Sequence, residues 1–146
     1  MATTSLAHSL RFETERFDYR SELPEEYNAG NRFYGRDVAE FLSKGLDALG
    51  VGADYLDEDW GWLVFNTGKD DPSFEIAIYN LSEHRLGGQP GVNNWGLWVR
   101  AYERRKLLGL IPRRVETAVP KGLVSRIADV FRPASISVEP WNDGPG

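Results

Sequence analysis

The sequence predicts an α+β fold: one antiparallel sheet with two main helices packed on it, in a single domain spanning 1–146. Three observations predict it. Strand-like runs at 60–66, 74–79 and 95–102 follow one another through turn-forming residues rather than helices. Two amphipathic stripes, one over 36–49 and one after Pro120, flank those runs. A chain of 146 residues, 41% apolar and without cysteine, can bury about two-thirds of its unfolded surface, enough for a core without metal or disulfide.

The elements follow in order. Residues 1–9 are small and polar and are expected to be mobile, as is the tail at 140–146. Leu10, Phe12 and Thr14 alternate, and Phe17 and Tyr19 continue out of phase, so 10–19 reads as a strand with a bulge. The stretch 21–35 holds Pro24, Asn28, Gly30, Asn31 and Gly35, a loop composition, yet it also carries Tyr27, Arg32, Phe33 and Tyr34. Val38, Phe41, Leu42, Leu46 and Leu49 form one helical stripe over 36–49. Asp37 suits the positive end of that helix, Gly50 stops it, and Gly45 inside it is expected to permit close approach to the sheet.

The stretch 54–66, DYLDEDWGWLVFN, reads as an acidic loop feeding a central strand. Trp60, Trp62 and Val64 share one face of that strand and Gly61, Leu63 and Phe65 the other, so both faces need cover. A turn at 67–72 leads to a strand with Phe74, Ile76 and Ile78 inward. A Gly/Pro/Asn loop over 82–94 precedes a third strand, 95–102, with Trp95, Leu97, Val99 and Ala101 on one face and Gly96, Trp98, Arg100 and Tyr102 on the other. Residues 103–110 are basic, then apolar, and 113–119 reads as extended. Pro120 suits a first helical turn. Leu123, Val124, Ile127, Ala128 and Phe131 make the second helical stripe, Pro133 ends it, and Ile136 and Val138 suggest a short edge strand.

The charge pattern narrows the partners. Residues 1–60 hold 13 acids against 6 bases, and the whole chain carries −5. That sign argues against nucleic acid as a partner and favours a basic protein. No run is long and apolar enough for a membrane helix, and the N-terminus lacks the basic and apolar regions of a signal peptide. A cytoplasmic location is therefore expected.

No catalytic, metal or cofactor signature emerges. Asp54, Asp57, Glu58 and Asp59 miss the calcium-loop pattern. His8 and His84, the two histidines, belong to no Ser/His/Asp arrangement. Gly87, Gly88 and Gly91 lack the lysine and Ser/Thr of a phosphate loop. Glu58 and Asp59 are adjacent, which on a strand points them to opposite faces and away from one glycosidic bond. A cluster of charge beside Trp60 instead has the makings of a docking surface, with carboxylates for steering and an aromatic anchor. The bland reading is a solvated charged loop.

The run from Asn28 to Asp37, NAGNRFYGRD, followed by a helix and then Glu58-Asp59-Trp60-Gly61-Trp62, resembles small bacterial proteins of the toxin-immunity kind over 20–66. The resemblance implies an intracellular protein that binds and neutralises a toxin, and it carries no active site with it. The leading expectation is thus a non-enzymatic protein-binding domain. Its contacts are expected at Asp57, Glu58, Asp59 and Trp60, with Tyr27, Arg32 and Tyr34 from the preceding loop. A second expectation is a small-molecule or hydrolytic site, with Arg32, Arg36 and Glu58 converging in a pocket between the sheet and helix 36–49. A third is a homodimer through an exposed tryptophan face.

Overall fold

The structure, a computed structural model, describes residues 6–17, 35–58, 61–68, 73–80, 93–107 and 111–141. Among these residues, seven strands form one antiparallel sheet: β1 (His8–Thr14), β2 (Ala53–Glu58), β3 (Gly61–Asn66), β4 (Ser73–Asn80), β5 (Asn93–Leu107), β6 (Ile111–Thr117) and β7 (Glu139–Pro140). Two helices, α1 (Arg36–Ala48) and α2 (Lys121–Phe131), pack on it. The strand order is β2-β3-β4-β5-β1-β7, with β6 also paired to β5. This is the α+β class that the strand and helix patterns predict.

Alternation decides which face becomes the core. Leu10, Phe12, Trp62, Val64, Phe74, Ile76, Ile78, Trp95, Leu97, Val99 and Ala101 all fall on one face and are all buried. The register aligns them in rows, for example Trp62 against Ile78 and Ile78 against Leu97. Both helices cover this same face. Val38, Leu42 and Leu46 of α1, four residues apart, are fully buried there, as are Ile127 and Phe131 of α2. Each such side chain contributes about 1.5–3 kcal/mol by leaving water. Aromatic rings join the layers: Phe131 lies 4.6 Å from Phe12 and 5.3 Å from Phe41, and Phe17 sits edge-on to Phe41 at 5.5 Å.

Two glycines have specific work. Gly50 adopts φ 87° just past α1, a left-handed turn that lets Gly50 N–H reach Asp47 O and Val51 N–H reach Leu46 O. Gly45 brings α1 against α2, not against the sheet as expected. A Cβ there would lie 3.0 Å from Val130 Cγ2 and closer still to Cγ1.

Several expected boundaries move. β1 ends at Thr14, so the strand does not include Phe17, which is buried after the strand; Tyr19 lies outside the described residues. The strand does begin at His8, inside the segment expected to be loose. The acidic residues 54–58 form a strand, β2, where a loop was expected. β3 is therefore second from the edge rather than central, and β5 takes the central place. β5 is also longer than its apolar alternation, running 15 residues. α1 ends one residue early, leaving Leu49 exposed at 43%. The last strand forms at Glu139–Pro140 rather than at Ile136 and Val138, and Trp141 N–H extends that edge by donating to Ser9 O.

Because Ala101 and Tyr102 pair with both β4 and β6, β6 lies on the side of β5 that β1 occupies earlier in the strand. β4 stops at Tyr102 and β1 at Val99. Beyond that point β5 and β6 continue as a two-stranded arm.

Candidate functional site

The acidic segment sits on the edge of the sheet. β2 pairs with β3 alone among the described residues, from Ala53 opposite Asn66 to Glu58 opposite Gly61. Thr67 N–H donates to Gly52 O at 3.0 Å. Antiparallel pairs alternate between bonded and non-bonded. Counting from that bond, Asp54, Leu56 and Glu58 turn their backbones toward β3, and Ala53, Tyr55 and Asp57 turn theirs toward the open edge. Strand edges of this kind invite pairing by another chain.

The side chains divide by face. Tyr55 and Asp57 share the helix-covered face, opposite Val64 and Trp62. Tyr55 rests 6.0 Å from the Trp62 ring, and its hydroxyl donates to Glu40 Oε2 at 3.3 Å. Asp57 is half-buried beside Trp62. Asp54 and Leu56 fall on the other face, and Leu56 is 38% exposed. Asp54 is exposed, and its Oδ1 accepts the outward N–H of Tyr55 at 2.8 Å. A side chain thus occupies a donor that an incoming strand would need.

Asp54 takes no salt bridge among the described residues. Ion pairs there include Glu13 and Glu139 with Arg11, Glu40 with Lys44, Glu75 with Arg100 and Arg114, and Asp129 with Arg132. Hydrogen bonding and charge from Lys44 hold the Glu40 carboxyl below its usual range.

The predicted contacts are only partly placed. Asp57 stands on β2 and Glu58 closes it by backbone register. Asp59, Trp60, Tyr27, Arg32 and Tyr34 lie outside the described residues, so their grouping with β2 has no geometry here. Of the alternative trio, Arg36 begins α1, half-buried, while Arg32 lies outside the described residues. The space between α1 and the sheet is filled by Val38, Ala39, Leu42 and Leu46, each 0% exposed. A shallow hollow of about 360 Å³ opens between α1 and the segment after β1, lined by Arg16, Phe17, Asp37, Glu40, Phe41 and Lys44. Among the described residues, no three His, Asp or Glu side chains gather as a metal site, and no helix is long and apolar enough to cross a membrane.

Sequence reasoning put Trp98, Arg100 and Tyr102 on one strand face but did not anticipate how they stack on the sheet face opposite the helices. There the Arg100 guanidinium lies 4.3 Å from the Trp98 ring and 5.7 Å from Tyr102, and Arg114 lies 4.0 Å from Tyr102. Glu75 pairs with both arginines. Stacked guanidinium groups thus cover the Trp98 and Tyr102 rings on this face. The signal for this stack was the i, i+2 spacing of Trp98, Arg100 and Tyr102. Burial raises the Tyr102 phenol above its ordinary value, and the nearby Arg100 charge opposes that rise.

Compared with protein-family models, curated proteins and solved structures, the chain matches none.

Proposed function

We propose that this chain is a non-catalytic protein-binding domain that takes a basic partner along the acidic β2 strand and the turn after it. Asp57, Glu58, Asp59 and Trp60 are the expected contacts, with Tyr27, Arg32 and Tyr34 beside them. In its finest form the reading is an immunity role, in which binding neutralises a toxin inside a bacterial cell.

One observation supports it above others. Arg11, Lys44, Arg100, Arg114 and Arg132 pair with carboxylates elsewhere, while Asp54 stays exposed on a sheet edge and accepts a backbone N–H. Negative charge held at such an edge steers a cationic partner. The filled interior under α1 gives a buried small-molecule pocket less support.

The test is association kinetics with the product of the neighbouring coding sequence, by surface plasmon resonance at low and high salt. Reversing Asp57, Glu58 and Asp59 to lysine is expected to slow association about tenfold or more and to flatten its salt dependence. An association rate that the triple reversal leaves unchanged defeats the proposed surface.

A further inference from the structure

β2 is a terminal strand of the sheet, and among the described residues it pairs on one side only, with β3. By the alternation counted from the Thr67–Gly52 bond, Ala53 and Tyr55 turn their backbone N–H and C=O groups to the other side. Among the described residues, the Tyr55 N–H is the one group of these with a partner, the Asp54 carboxylate at 2.8 Å. Unmet strand donors and acceptors in a row form a template for another strand. The edge is also set in place before anything arrives. The Tyr55 hydroxyl donates to Glu40 of α1 and its ring rests on Trp62 of β3. The strand sequence, ADYLDE, holds three acids and no base, and Asp54 is exposed on the same face as the exposed Leu56.

We propose that β2 receives its partner as an added strand: an extended segment of a basic protein, antiparallel to β2, with a lysine or arginine abreast of Asp54. This rests on the acidic β2 surface proposed above and names how that surface is engaged. Two observations choose the occupant. The outward main-chain groups of Ala53 and Tyr55 match extended backbone, whereas a helix spends its backbone groups on itself. The acids on the strand match a cation. Every strand pair in this sheet is antiparallel, which sets the orientation.

Asp54 then acts as a gate on the edge. A neutral strand competes with its carboxylate for the Tyr55 N–H and offers that carboxylate nothing in exchange. A strand with a lysine beside Asp54 offers an ammonium group, and the Tyr55 N–H is released to the incoming carbonyl. The edge is thereby guarded against apolar strands and open to cationic ones. A second copy of β2 brings only acids, and like charges across a strand pair repel.

The probe is a fluorescein-labelled heptapeptide of alternating lysine and valine, titrated with the full chain and read by fluorescence anisotropy. Residues directly opposite in an antiparallel pair share a face. With the lysines on the Asp54 face, a valine therefore stands opposite Tyr55 and its backbone faces β2. N-methylation of the valines removes those donors and should weaken binding about tenfold or more. N-methylation of the lysines, whose N–H groups face away, should change it little. Threonine in place of every lysine should also weaken binding to the parent about tenfold or more. Asp54→Ala should admit the threonine peptide and shrink that ratio to about threefold or less. Amide hydrogen exchange should slow at Ala53 and Tyr55 when the lysine peptide is bound. Absence of binding at low salt overturns the proposal. Equal binding by the valine-methylated peptide overturns strand addition and leaves an electrostatic β2 surface standing. A lysine preference that Asp54→Ala leaves unchanged overturns the gate. The β2 surface itself fails by a different result, an association rate untouched by reversal of Asp57, Glu58 and Asp59.

Discussion

Asp54 shows how one side chain sets what an element can do. Its carboxylate takes the outward N–H of Tyr55, so the free edge of β2 is both charged and short of one donor. Natural sheets protect edges in this manner. Asp54→Ala is expected to promote association through the edge, seen as scattering that grows with protein concentration, with the melting temperature little changed. Gly45 acts at equal range: Ala there would overlap Val130, and a loss of about 1–3 kcal/mol is expected in urea unfolding. Tyr102 gives a pH prediction. Its folded pKa is raised by burial, so the fold favours the neutral phenol. The associated stability is complete below the unfolded value of about 10 and is lost as pH rises through the folded one. Tyr102→Phe should therefore soften the alkaline fall in Tm.

At the scale of elements, what the sequence revealed follows from what each residue faces. α1, β4 and the first half of β5 were legible because their apolar side chains meet a core at periods of 3.6 or 2. β2 was not, because an edge strand has weak packing demands and its Asp-rich composition reads as loop. The far half of β5 was hidden for a related reason: Arg104 is exposed, and the strand there is held by pairing with β6. Of the candidate contacts, Asp57 and Glu58 were placed on their strand only by register, which no local pattern of acids discloses. The β5–β6 arm yields an element-level prediction, because Arg105 and Arg113 stand opposite one another in its register. Threonine at Arg113 should stabilise the protein by about 0.2–1 kcal/mol, which is a rise of roughly 1–4 °C for a chain of this size.

Across the whole molecule, the sheet separates an acidic margin at β2 from a basic one at the β5–β6 arm. The arm should then be dispensable for folding. Joining Tyr102 to Glu116, its register partner, through an Asn-Gly turn is expected to leave cooperative unfolding in place with a Tm within a few degrees of the parent. Collapse of the near-ultraviolet circular dichroism would show instead that the arm supports the core.

The position of β1 has a temporal consequence. The strand lies between β5 and β7, so residue 8 finds its bonding neighbour only once residue 99 exists. At ordinary translation rates that interval is roughly 5–20 s. Throughout it, Leu10 and Phe12 emerge from the ribosome with no partner strand. The nascent chain therefore carries an unpaired apolar strand until about two-thirds of the sequence has been made.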